Sequence, residues 1–303
     1  MEDMVEKKKT ILLVGASGFM GRNLKEFLEK ENELYDIYAP TSHEFDISDE
    51  RAVKKQLEKR HYDVIIHAAV FNPRVASNKD SSKELDKNLR MFFNFERYQK
   101  LFGKMLYFGS GAEFDKRREI SMINEENAGN GIPTTDYGLY KYITNRSIQH
   151  SENIYNLRIF GLFGKYENWK RTFISGACCK AVKNLPITIR QNVYFDYLYI
   201  DDFCKIVEWF INHDVRHKVY NVTSGKTINL LAIANIIKKI SGKELPIYVC
   251  KEGLANEYSA SNERLLKEIG SFKFLPMDEA ISDLYVWYYN HKEDIDVYSL
   301  LYQ

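Results

Sequence analysis

A tyrosine and a lysine four positions apart, Tyr137 and Lys141 in Asp136-Tyr137-Gly138-Leu139-Tyr140-Lys141, are the pair in this chain best suited to move a proton. On a helix that spacing stacks phenol and ammonium on one face. A cation beside a phenol favours the phenolate and brings a general acid/base into the neutral range. Tyr140 and Thr144 repeat the spacing without the cation, so Tyr137 is the expected proton carrier. Ser110, at the end of Met105-Leu106-Tyr107-Phe108-Gly109-Ser110, offers a hydroxyl that can hold the reacting oxygen of a carbinol or ketone. Taken singly, a strand-end serine is more often a cap or turn residue. With 21 tyrosines, Tyr-x-x-x-Lys also arises by chance, so the weight rests on these residues occurring together with a third feature.

That feature is the turn Val14-Gly15-Ala16-Ser17-Gly18-Phe19-Met20-Gly21, which follows a buried-strand pattern and opens a helix. Glycines there let the backbone approach a pyrophosphate, and the helix N-terminus presents N–H groups and a positive dipole end. Gly15, Ser17, Gly18, Phe19, Met20 and Gly21 are therefore the expected dinucleotide contacts. The next strand ends in Tyr38-Ala39-Pro40-Thr41-Ser42-His43, with no Asp or Glu from Tyr38 to Ser42 to hold a ribose 2′-hydroxyl and repel a 2′-phosphate. NADP is thus favoured and NAD remains open. Thr41 and Ser42 supply hydroxyls, His43 or Arg22 charge, and Asp46 can meet the adenine amino group.

These residues need a scaffold that brings strand ends together. Thr10–Val14, 36–39, 63–68 and 105–110 read as short apolar strands, separated by helical stretches over 23–31, 50–60 and 85–102. Alternation of this kind makes βαβ units, so the fold class is α/β, a Rossmann-type doubly wound parallel sheet. From about Gly161 the rhythm loosens into loops, an aromatic segment at 193–200 and helices near 202–212 and 230–241. The expected division is a dinucleotide-binding domain over 1–160 and a smaller α/β substrate lobe over 161–303, partly interleaved with the first.

Bulk composition narrows the setting. Lys plus Arg (43) nearly cancels Asp plus Glu (42), which gives no reason to expect a nucleic-acid or membrane partner. Cys178, Cys179, Cys204 and Cys250 form no disulfide framework and the first ten residues are charged, so a cytoplasmic protein is expected. His213 and His217 have ligand spacing but sit in a polar loop, so no metal is expected.

Four motifs in this order resemble the extended short-chain dehydrogenase/reductases, the NAD-dependent epimerase/dehydratase family. They are Gly15 to Gly21, His67-Ala68-Ala69, Phe108-Gly109-Ser110 and Tyr137 to Lys141, with Asn88, Leu157-Arg158-Ile159-Phe160-Gly161 and Asp196 to Asp202 as further matches. The resemblance runs from about residue 10 to 290 and is nearest to reductases of the GDP-L-fucose synthase kind, which act on 4-keto-6-deoxy-sugar nucleotides. It implies that Ser110, Tyr137 and Lys141 are catalytic and that Ala68, Ala69 and Lys141 line the cofactor. It also implies that Asn88 organises a bond behind Lys141, that Ser110, Gly111, Ala112, Tyr137, Asn168 and Arg171, with Lys170, face the substrate, and that the chain is a homodimer through helices 85–102 and 137–151.

Departures matter as much. Ala112 and Tyr166 stand where the synthases carry a cysteine and a histidine, and Gly111-Ala112 where dehydratases carry an Asp-Glu pair. Phe195 replaces an arginine. With those acid/base groups missing, the expectation is NADPH-dependent reduction of a C4 ketone on a nucleotide-linked sugar. A 4-epimerase, a 3,5-epimerase-reductase and a non-catalytic NADP-binding regulator are the alternatives.

Overall fold

Residues 8–73 and 80–301 are described in this computed structural model. The chain begins β1 (Lys9–Val14), α1 (Phe19–Leu28), β2 (Tyr35–Tyr38), α2 (Glu50–Lys59), β3 (Val64–His67), α3 (Glu84–Glu96) and β4 (Lys104–Ser110). It continues through β5 (Ile120–Ile123), α4 (Asp136–Ile148), β6 (Ile154–Ile159), β7 (Gly161–Phe163), α5 (Phe173–Val182), β8 (Ile187–Asn192), β9 (Tyr194–Tyr199) and α6 (Ile200–Asn212). Then come β10 (Val219–Val222), β11 (Thr227–Asn229), α7 (Leu230–Ser241), β12 (Ile247–Leu254), β13 (Tyr258–Ala260), α8 (Glu263–Ile269), α9 (Met277–Asn290) and α10 (Val297–Leu301). Two compact units result. One holds the chain up to Arg117 with Glu125–Ile159 and Ile206–Tyr220, the other Arg118–Asn124, Phe160–Lys205 and the chain from Asn221 on.

A six-stranded sheet in the order β10-β6-β4-β3-β1-β2 organises the first unit. The β1/β2, β1/β3, β3/β4 and β4/β6 pairs are all parallel, with Val14 opposite His67, His67 opposite Tyr107, and Ser110 opposite Ile159. Continuous apolar runs cause this. Ile11, Leu12, Leu13, Ile65 and Ile66 are wholly buried, as strands covered on both faces must be. The chain is therefore a Rossmann-type α/β fold. Met91, Phe92 and Phe95, the aromatic face of α3, are buried and join a core with Leu12, Ile65 and Met105, so packing within the unit accounts for their apolar character.

In the second unit the sheet order is β11-β9-β13-β5, with β7 beside β9, and β12 pairs with β8. Helices α5, α7 and α9 pack on one another. Cys178, Cys179 and Cys204 are buried free thiols, and Cys250 is exposed.

Two helices differ from the sequence expectation. Helix α1 starts at Phe19 rather than at 23, and gives way to a 3₁₀ turn at Glu29–Glu31. The glycines at 18 and 21 lower helix propensity and hid this start, but their close packing holds the first turn. Likewise α3 ends at Glu96, and a separate 3₁₀ turn covers Gln99–Leu101. Strands β5, β8, β12 and β13 have no counterpart among the expected elements; β5 and β13 are short, and β12 is exposed over nearly its whole length.

Candidate active site

Backbone contact explains the glycine turn. Gly15 has φ +85°, and a Cβ there would lie 2.5 Å from the nitrogen of Ala69, while a Cβ on Gly21 would lie 2.2 Å from the carbonyl oxygen of Gly15. Strand β1, the start of α1 and the end of β3 thus touch main chain to main chain, with Ala68 N–H donating to the Val14 carbonyl at 3.0 Å. Helix α1 opens at Gly18 with no side-chain cap and no acidic residue in its first turn. Uncapped N–H groups at a positive dipole end, beside glycines that keep the approach clear, fit the pyrophosphate of a dinucleotide. Ser17 and Gly18 are exposed there, and Phe19 and Met20 half-buried.

The tip of β2 holds a feature the sequence reading passed over. Glu44 folds back, and its Oε2 accepts from Thr41 N at 2.8 Å and Thr41 Oγ1 at 2.9 Å. Those bonds hold its carboxyl below the usual range. Asp46 Oδ1 accepts from the N–H and hydroxyl of Ser48, and Ser42 is exposed. Thr41 and Asp46 thus spend polar atoms on their own loop.

Asn88 bonds to backbone. Its Oδ1 accepts from Phe71 N at 2.9 Å, and its Nδ2 donates to the carbonyls of Phe71 and Glu84 at 2.8 and 2.7 Å. An amide side chain matches the N–H and C=O of a single residue, so Asn88 pins the segment after β3 through Phe71.

Around Ser110 the motifs converge. The Ser110 hydroxyl oxygen accepts from Ala112 N–H at 3.1 Å, capping a 3₁₀ turn over Gly111–Glu113. The capping expectation for a strand-end serine is met, and it orients the hydroxyl rather than excluding it from chemistry. Gly111 and Ala112 are buried in this turn. Helix α4 is capped by Thr135, whose Oγ1 accepts from Gly138 N at 3.1 Å. A Cβ on Gly138 would lie 2.6 Å from the Ala112 carbonyl, so glycine lets the first turn of α4, with Tyr137, close against the turn after Ser110. This second glycine requirement escaped the sequence reading.

Lys141 is buried, donates through Nζ to the Phe108 carbonyl, and stands 4.4 Å from the centre of the Tyr107 ring. Burial lowers its pKa to about 7, against a smaller upward pull from Glu113. His67 is driven down to about 4 by burial first and the Lys141 charge second, so it is a neutral neighbour at physiological pH. Tyr137 and Tyr140 meet edge to face at 5.4 Å.

A model described as the NAD dependent epimerase/dehydratase family matches residues 11–223, which take in the glycine turn, Ser110, Tyr137 and Lys141. The chain belongs to that family. This epimerase/dehydratase-family chain is therefore an NAD(P)-dependent enzyme. It is 22% identical to the GDP-L-colitose synthase of Yersinia pseudotuberculosis over 94% of this chain and 99% of that one. It is equally 22% identical to a bifunctional UDP-glucose and UDP-xylose 4-epimerase of Arabidopsis thaliana, over 92% and 95%. Among solved structures it is similar to a GDP-L-fucose synthetase from Naegleria fowleri bound to NADP, with TM-score 0.79, 18% identity, and coverage of 96% and 97%.

Other expected site residues of this family member lie in the second unit. Asn168 Oδ1 accepts from Lys170 N at 3.2 Å, its carbonyl accepts from Arg171 N at 2.9 Å, and Lys170 and Arg171 are exposed. Phe195 packs against Tyr197 and Tyr258. Asp196 is committed to structure: it accepts from Ser224 N and Oγ and from Gly225 N at 2.6 to 2.9 Å. Tyr166 has φ +69° and meets the Trp287 ring edge-on at 5.4 Å. Among the described residues no group of His, Cys, Asp and Glu is arranged to hold a metal ion, and no helix is long and apolar enough to cross a membrane.

Beside Asn168, burial raises the Glu167 carboxyl to about 7, offset in part by Ser175 and Thr172. Between pH 4.5 and 7 the folded state keeps a proton the unfolded chain has lost, so stability falls as pH rises through that window. Glu167→Gln keeps an acceptor for Ser175 and removes the charge. It is expected to raise the melting temperature at pH 8, with an upper bound of about 3 kcal/mol, and to leave it unchanged near pH 4.5. Scanning calorimetry across this range checks it, and equal shifts at both ends would refute the assignment.

Proposed function

We propose that the chain reduces the C4 ketone of a nucleotide-linked 4-keto sugar, a 4-keto-6-deoxy sugar in the simplest case, with NADPH as donor. The observation that supports the reading is the Gly138–Ala112 close approach, which brings the start of α4, the helix of Tyr137 and the buried Lys141, against the turn that Ser110 caps.

The dinucleotide, held by Gly15 to Gly21 with Ala68 and Ala69, supplies the hydride when bound. Tyr137 donates its phenolic proton to the oxygen that becomes the C4 hydroxyl and is reprotonated from solvent. Ser110 accepts from Ala112 N–H with one lone pair and donates a hydrogen bond, its proton retained, to the same oxygen. Lys141, charged below about pH 7, stabilises in that form the phenolate left on Tyr137. Asn168, Lys170 and Arg171 are the groups proposed to contact the nucleotide diphosphate.

Carbon-acid chemistry finds no base at the two positions, 112 and 166, where the resembling synthases carry theirs. Abstracting a proton next to a ketone takes a group within about 3 Å that accepts it, and neither the Ala112 methyl nor the Tyr166 phenol does so at neutral pH. Glu113, which lies next to the position of the dehydratase pair, is enclosed and bonded to Arg158. The neighbouring carbons are therefore left untouched.

Glu44 favours a second reading. A carboxylate folded onto the β2 tip suits NAD over NADP, and retained NAD is the property of a 4-epimerase. One experiment separates the two: a GDP-linked 4-keto-6-deoxyhexose in heavy water, with unlabelled NADPH or NADH. Reduction predicts faster turnover with NADPH, stoichiometric oxidation, and no carbon-bound deuterium at C3 or C5 by mass spectrometry and NMR. Deuterium there returns the chain to the epimerase-reductases. Absence of NADPH oxidation, together with C4 interconversion of a GDP- or UDP-hexose, makes it an epimerase.

A further inference from the structure

Behind Ser110 lies a polar cluster that the mechanism above does not use. Glu113 and Arg158 are both fully enclosed, with Arg158 Nε donating to Glu113 Oε2 at 2.8 Å. Glu113 Oε1 accepts from Asn156 Nδ2 at 3.0 Å and from the backbone N–H of Ser110 at 3.3 Å. Asn156 Nδ2 also donates at 3.0 Å to Asn145 Oδ1, one turn beyond Lys141 on α4. The neighbouring strand makes room for this cluster: a Cβ on Gly109 would lie 2.0 Å from Asn156 Oδ1 and 2.5 Å from Glu113 Oε1. One carboxylate thus touches the main chain of Ser110 and, through Asn156, the helix that carries Tyr137 and Lys141.

Such an arrangement is an expensive way to fill space. Two charges removed from water lose several kcal/mol of hydration each, and apolar residues of similar volume commonly stabilise a core as well or better. Its position suggests what it does instead. Resting on the assignment of Ser110, Tyr137 and Lys141 as the catalytic group, we propose that Glu113, clamped by Arg158 and Asn156, is a positioning residue that fixes Ser110 and provides the counter-charge for Lys141.

The surroundings of Lys141 fit this role. Tyr107 on β4 and Tyr140 on α4 present rings at 4.4 and 5.2 Å, and burial pushes both phenols far above neutrality. His67 at the end of β3 is uncharged, and Tyr137 shares the helix. Against the desolvation that pulls Lys141 down, Glu113 is the group that pulls it up. Removing that carboxylate lowers the lysine further, so the charged form is lost at lower pH.

The test uses the full chain and three variants, Glu113→Gln, Glu113→Asp and the apolar double variant Glu113→Val/Arg158→Leu. For NADPH-dependent reduction of a GDP-linked 4-keto-6-deoxyhexose, Glu113→Gln and the double variant are expected to lower kcat roughly tenfold or more at pH 7. The KM for NADPH is expected to change little. Their alkaline limb of kcat against pH is expected to move down by about one unit, the effect of a nearby charge in a buried site. Glu113→Asp is expected to recover part of both. In cofactor-free protein carrying lysine labelled at Cε, the NMR titration that disappears in Lys141→Met should shift to lower pH in Glu113→Gln. Folded variants with the parent kcat, pH limb and lysine titration would overturn the proposal, and so would failure of both to fold, which would make the cluster purely structural. Tyr137→Phe in the same assay keeps the two readings apart. Full activity there removes the catalytic assignment, whereas an inactive Tyr137→Phe beside an unshifted Glu113→Gln removes this inference alone.

Discussion

Tyr137→Phe is expected to lower turnover by on the order of 10²–10⁴ while leaving cofactor affinity nearly unchanged, because a positioned acid/base contributes about that much to the chemical step. Phenylalanine keeps the edge-to-face contact with Tyr140 at 5.4 Å and adds no volume, so the fold should not respond. Steady-state kcat at saturating substrate, with the cofactor dissociation constant from quenching of protein fluorescence, checks both halves. A variant that keeps parent turnover would show that another group carries the proton.

Lys141→Met is expected to abolish the same reaction and to stabilise the protein. The ammonium is buried, and desolvation brings its pKa from 10.5 to about 7. At pH 7 and below, the full cost of burying the charge, at the limit about 5 kcal/mol, is present in the folded state. As pH rises from 7 towards 10.5 the folded protein releases this proton while the unfolded chain keeps it, so the parent gains stability relative to the methionine variant. Methionine forfeits the bond to the Phe108 carbonyl, worth about 1–3 kcal/mol when its partner stays buried. The net result is a melting temperature several degrees above the parent near pH 6, with the gap closing by pH 9–10. Thermal melts at those pH values decide it. A gap that stays constant or widens with pH would mean that Lys141 is not held near neutrality by burial. The trade matches the general cost of placing an ionisable group where chemistry needs it.

Most of the first unit was legible in the chain because its signals are local. Buried parallel strands demand unbroken apolar runs, and Ile11 to Val14, Val64 to Ile66 and Met105 to Phe108 are such runs. The turn from Gly15 to Gly21 announces itself because main chain meets main chain there, which a Cβ would prevent. Helix starts were less legible where glycine serves packing, as in α1, and the short strands of the second unit carry too few residues for a period to show. Asp196, one of the residues that carry the family resemblance, shows how a motif residue can serve the fold, since its carboxylate accepts from Ser224 and Gly225.

The sequence by itself determined the α/β class and the family, and singled out the glycine turn and the proposed trio Ser110, Tyr137 and Lys141, because each depends on residue types at fixed short spacings. Only the tertiary structure decided which polar groups are already spent and which are strained by burial. Asn88 bonds the N–H and the C=O of Phe71. Glu44 returns to Thr41, so an acidic group sits at a tip that looked uncharged. Glu113 and Arg158, 45 positions apart, meet behind Ser110 because β4 and β6 are neighbours in the sheet. The physical reason is the same in each case. Hydrogen bonds and desolvation act over about 3–5 Å in space, and no pattern of spacing along a chain records which distant residues folding will bring within that range.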